Sequence, residues 1–194
     1  MKKFLLCLVA CTAFIAGAFA KSYDEMDSEK IFGITPGARI SVLGLEPTVA
    51  IDFYNLEVEA ACAFSTGFDG KQFGAAPSFS VAYITNPFEK GISAAFGAEY
   101  MFLAPSYTNM LTRTMDKDDD VEDIPGIHMI SVFYKGTYNF NHVFGLLWRI
   151  RLPLMIGATQ DGESLNVNVT NLPGFAGCFL VGICTTSIGV KFTF

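Results

Sequence analysis

Nine charged residues of this 194-residue chain fall in short runs where every second residue is apolar. Arg39, Lys135, Arg149, Arg151 and Lys191 supply five positive charges, and Asp52, Glu57, Glu59 and Glu99 supply four negative ones. In an extended chain successive side chains point to opposite faces, so each of the nine lies on the polar side of its run. A near-balanced set enclosed by such strands forms ion pairs and hydrogen bonds that fill the space between them. The chemistry predicted from these residues is therefore a lumen charge network that plugs an interior, with a narrow conducting channel as the alternative.

The other candidate residues are fewer. Asp116, Asp118 and Asp120 in "DKDDDVED" have the odd-numbered spacing of oxygen ligands and form a candidate weak cation loop, but the glycine and distant Glu of an EF-hand are missing. A solvated, disordered surface loop is the main reading of that acidic run. The two histidines, His128 and His142, fall at opposite ends of one predicted strand and cannot share a site, which leaves His128 beside the acidic run as the sole rim cluster. The chain is read as a non-enzyme with no catalytic residues, no cofactor and no bound metal. Cys62, Cys178 and Cys184 are an odd number for a disulfide framework. Cys178 and Cys184 are read as small apolar space-fillers, with a bond between them as the alternative.

The elements that must position these residues follow from the composition. Residues 1–20, "MKKFLLCLVACTAFIAGAFA", have two lysines, an apolar run and a small-x-small ending, the pattern of a secretory signal peptide. Removing Lys2 and Lys3 with it leaves 11 of the 13 basic residues against 19 acidic ones, a net charge of −8 that argues against nucleic acid as a partner. Hydrophobic residues make up 51%, charged residues only 16%, and the mean hydropathy is +0.38. Soluble domains carry about 25% charge, so these figures point to a membrane, yet no later segment is long and apolar enough for a spanning helix. The other structure that satisfies its whole backbone in lipid is a closed β-barrel.

Alternation with period two supports that choice. "TVAIDFY", "LEVEAACAF", "SFSVAY", "ISAAFGAEYMF", "MISVFYKGTYNF" and the run from Phe144 each place aromatic and branched residues on one side and small or charged residues on the other. With "ARISV" and "SIGVKFTF" the count is eight strands of an antiparallel up-and-down transmembrane barrel. Residues 21–35 are assigned to a short periplasmic segment and 36–194 to the barrel, with a surface loop at 104–125. "GLEP" is read as the first outer connection, and short turns at 54–55, 86–91 and 140–142 fall on the periplasmic side. The phase breaks near "CTTS". Either 159–184 is one long outer loop partly folded over the mouth, or "SLNVNVT" and "GFAGCFLVGI" are two further strands, giving ten.

Signal peptide, alternating strands, a hydrophilic loop and a terminal Phe together resemble the small outer-membrane barrels of diderm bacteria, the class of the OmpA membrane domain, OmpX and OmpW, over residues 36–194. The resemblance implies that Ile188, Val190, Phe192 and Phe194 form an assembly signal read by the barrel-assembly machinery. It also implies outer-membrane lipid as a partner, a bacterial outer-membrane location with loops at the cell surface, and contact with a host or extracellular ligand through those loops. A narrow porin-like channel, or OmpW-like transport of small or hydrophobic solutes, is the alternative function. An enzyme at the rim comes third.

Overall fold

The computed structural model describes residues 32–66, 73–85, 91–115, 125–141, 143–160 and 163–194. Nine strands form one antiparallel sheet: β1 (Phe32–Ser41), β2 (Gly44–Phe53), β3 (Leu56–Thr66), β4 (Phe73–Ile84), β5 (Gly91–Leu103), β6 (Ile127–Asn139), β7 (Phe144–Gln160), β8 (Glu163–Asn168) and β9 (Ser187–Phe192). Each of β1 to β7 pairs with the next, and β9 bridges β7 and β1, which closes an eight-stranded barrel. β8 lies outside that ring, paired to the outer part of β7 alone. Helix α1 (Pro105–Met115) follows β5, and helix α2 (Leu172–Cys184) joins β8 to β9.

The alternation of the sequence becomes the alternation of burial. Along β4 every second residue from Gly74 to Ile84 is buried, while Phe73, Phe79, Val81 and Tyr83 are exposed. The pattern is inverted relative to a water-soluble barrel: the exposed face carries Phe, Tyr, Ile and Val, and the enclosed face carries Ser, Thr, Ala and the charges. Small inward residues are what a narrow eight-stranded interior has room for. On the outer face Trp148 lies over its cross-strand partner Gly136, where an added Cβ would meet the indole at 2.1 Å.

Prolines mark where ladders stop, because proline has no N–H to donate. The β2–β3 register passes from Leu45↔Phe64 to Thr48↔Ala61 without Glu46 and Pro47. Pro77 sits just before the β4–β5 ladder begins at Ser78. Pro153 falls between the end of β7–β9 pairing at Arg149 and the start of β7–β8 pairing at Met155.

Several expectations need correction. The barrel begins at Phe32 rather than residue 36, because Phe32 to Thr35 pair with Phe53 to Ala50. "GLEP" is the start of β2, so the connection between β1 and β2 is only Val42-Leu43. The ten-strand alternative fails in an uneven way. Most of "SLNVNVT" is a strand, but it extends a hairpin outside the ring, and "GFAGCFLVGI" is helix. The first half of the 104–125 loop is also helix, from Pro105 to Met115. Cys178 and Cys184 are both free, Cys178 buried and Cys184 exposed. The signal segment 1–20, the acidic run with Asp116, Asp118 and Asp120, the turn at 86–90 and His142 lie outside the described residues.

Candidate functional site: the plugged lumen

The period of the strands aims every second residue at the axis, and among the described residues ten charged side chains end there buried. Nine are those on the polar side of the sequence runs: Arg39, Asp52, Glu57, Glu59, Glu99, Lys135, Arg149, Arg151 and Lys191. The tenth is Glu46, which completes five of each sign. Reading "GLEP" as a loop hid it. The signal that could have found it is its place directly opposite Arg39 once β1 and β2 form a tight hairpin.

Six of these side chains alternate in sign around a closed ring. Arg39 Nε is 2.9 Å from Glu46 Oε2, and Glu46 Oε1 is 2.8 Å from Arg151 Nη2. Arg151 Nε donates to Glu99 Oε2 at 2.6 Å, and Glu99 Oε1 accepts from Arg149 Nη1 at 3.0 Å. Arg149 Nη2 lies 2.8 Å from Glu59 Oε1, though not aligned as a hydrogen bond, and the same oxygen accepts from Arg39 Nη1 at 2.8 Å. The ring draws on β1, β2, β3, β5 and β7, so it crosses the lumen from wall to wall. The guanidinium of Arg149 also sits 4.0 Å over the Phe133 ring, and Arg151 Nη1 donates to Thr185 O at 2.7 Å.

The ring shares Glu59 with a smaller group toward the other end of the barrel. Lys135 Nζ bonds the Glu57 carboxylate and lies 3.6 Å from Glu59 Oε2. Lys135 and Arg149 are direct cross-strand partners of like charge, an unfavourable pairing. It is relieved because the lysine reaches toward β3 and the arginine toward both β3 and β5. Thr35 Oγ1 donates to Asp52 Oδ2 at 2.7 Å, and Lys191 is buried close by on β9. Ala82, Ile84, Ala95 and Phe133 form an apolar cluster on this side.

Above the ring, α1 fills the other mouth. Tyr107 and Met110, three residues apart on one helix face, pack on Ala63, Ala76, Met101 and Met129. Gly74 permits the close approach, since a Cβ there would lie 2.7 Å from the Tyr107 Cα. Tyr107 Oη donates to Leu43 O at 2.8 Å, tying the helix to the β1–β2 turn, and burial pushes the phenol up to about 12, which keeps it a neutral donor. The i, i+3 pair and a proline at the first helical position were legible signs of this helix.

The remaining candidates lie away from the lumen. Ile188 is exposed, Val190, Phe192 and Phe194 are half-buried, and the intervening Ser187, Lys191 and Thr193 point inward. Phe194 N donates to Ile34 O at 2.9 Å and Ile34 N to Phe194 O at 3.0 Å, so the last residue still takes part in barrel closure. His128 is on the exposed face, with its Nδ1 2.6 Å from Tyr100 Oη and its ring against Phe102.

No protein-family model and no curated protein matches the chain. Two solved structures are similar to it. One is the N-terminal β-barrel domain of Pseudomonas aeruginosa OprF, 12% identical with a TM-score of 0.47, over 84% of this chain and 96% of that one. The other is a major outer membrane protein from Thermus thermophilus, 14% identical with a TM-score of 0.37, over 84% of this chain and 98% of that one.

Proposed function

We propose that this chain is a small outer-membrane barrel with a structural or surface-exposed role, whose lumen does not conduct. One observation carries the reading: the barrel is inside out. Phe73, Phe79, Tyr83, Phe96 and Ile150 are exposed around its wall, whereas Arg39, Arg149, Arg151, Glu46 and Asp52 are sealed within it. In water such a wall would drive aggregation, and in a bilayer it meets its solvent. Lipid is therefore its first partner, and the ending with Ile188, Val190, Phe192 and Phe194 is presented to the barrel-assembly machinery.

The mouth that α1 closes faces the cell exterior, and the 104–125 connection is the contact for host or envelope molecules. In cells the mature chain starts at Lys21 and fractionates with outer membrane. An impermeant label applied to intact cells reaches the 104–125 connection and misses 86–90. Recovery in the inner membrane, or labelling of 86–90 with protection of 104–125, overturns the reading.

A further inference from the structure

α2 is an apolar helix with little protein over it. Leu172–Cys184, "LPGFAGCFLVGIC", contains no polar or charged side chain apart from its two thiols, yet only Gly174, Cys178 and Gly182 are buried. Leu172 is 81% exposed and Leu180 62%, and Phe175, Phe179 and Ile183 are exposed beside them. The buried stripe faces β7 and β8. An added Cβ at Gly182 would meet Arg151 O at 2.3 Å, and one at Gly174 would meet Asn168 O at 2.0 Å. The helix thus covers residues 150–154 of β7, the stretch that neither β9 nor β8 pairs with on this side.

We propose that α2 is part of the barrel wall and that the acyl chains of the outer leaflet cover its exposed face, an assignment that rests on the membrane reading above. Continuity argues for it. Ile188 just after the helix, and Ile150 and Met155 on β7 beside it, all belong to the exposed apolar surface of the barrel. The helix therefore lies within that belt, at the depth where the strands meet lipid. A helix is tolerated there because its backbone groups bond one another, which an irregular loop could not match. The small-residue stripe on which two membrane helices usually meet is already spent on β7 and β8, which argues for lipid over a second copy of the chain.

Trp148, the single tryptophan, is on the outer face of β7 and serves as an internal reference. The mature chain is refolded into phosphatidylcholine vesicles whose acyl chains are brominated. Quenching of Trp148 in the native chain tests the membrane reading itself. In a Trp148→Phe, Phe179→Trp variant, and separately with Phe175→Trp, the relocated indole is expected to be quenched to the same extent by the brominated chains and to be shielded from aqueous iodide. Three results overturn the proposal while leaving the barrel intact: quenching by iodide alone, which puts α2 in water; protection from both quenchers with dimers on crosslinking, which puts a second copy on it; and the same protection in a monomer, which folds the helix inward. An unquenched Trp148 instead overturns the membrane reading.

Discussion

At the middle of the lumen, six charged side chains from five strands hold one another in a ring; at one mouth, a helix lays Tyr107 and Met110 on four small or flexible apolar residues. The ring is directional and far from water, so it fixes which strands face each other but depends on every member being present. The mouth is non-directional and tolerates imperfect shape, as methionine-rich packing does. Losing one member therefore has a different consequence in each place. In the ring it strands a charge, and in the mouth it leaves a small cavity.

The largest effect is expected from Arg149→Ala combined with Arg151→Ala. Glu99 then loses both of its partners, and Glu46 and Glu59 lose one each. Breaking one buried pair by removing a partner costs about 3–5 kcal/mol, and the double variant should lose at least that much in a denaturant titration of micelle-folded protein. A gain of stability would instead mean that the arginines had been facing lipid, where removing each charge near the midplane yields about 2–4 kcal/mol. Met110→Ala comes next, at about 2–4 kcal/mol for a buried methionine truncated in a packed cluster, with the ring and its blockage left in place. Tyr107→Phe should be smallest, about 1 kcal/mol, since it removes one hydrogen bond to Leu43 O and keeps the ring volume. If Tyr107→Phe cost as much as the double arginine variant, the division between a directional ring and an adaptable mouth would be wrong.

What the sequence made legible follows the same division. β3 and β4 pair over eleven consecutive residues, and the alternation of "LEVEAACAF" and "SFSVAY" was enough to find both, although β4 starts five residues earlier, at Phe73, in a stretch of Gly, Ala and Pro that does not alternate in polarity. The same rule gave the count of eight, with ten left as the alternative, and eight holds because β9 repeats the alternation after the phase break. Glu46 was missed because Pro47 beside it suggests a turn. In the barrel that proline sits where the β2–β3 ladder skips two residues, so the strand continues through it. The two helices were missed for another reason. α2 is apolar almost all round, and its one helical sign is small residues at positions 174, 178 and 182, a four-residue step hidden inside a run that also alternates. "NLPG" before it has the composition of a turn, but Asn171 Oδ1 accepts from Gly174 N at 2.7 Å as an N-cap. Short helices that lean on a barrel depend on contacts with distant strands, and no local period encodes those contacts.

The claim that the ring closes the lumen is tested most directly by single-channel recording of the refolded mature chain in a planar bilayer. No steady conductance is expected from the native protein, and none from Met110→Ala, whose altered mouth still has the ring of Arg39, Glu46, Arg151, Glu99, Arg149 and Glu59 beneath it. Stable, ohmic openings from the native chain would contradict the claim.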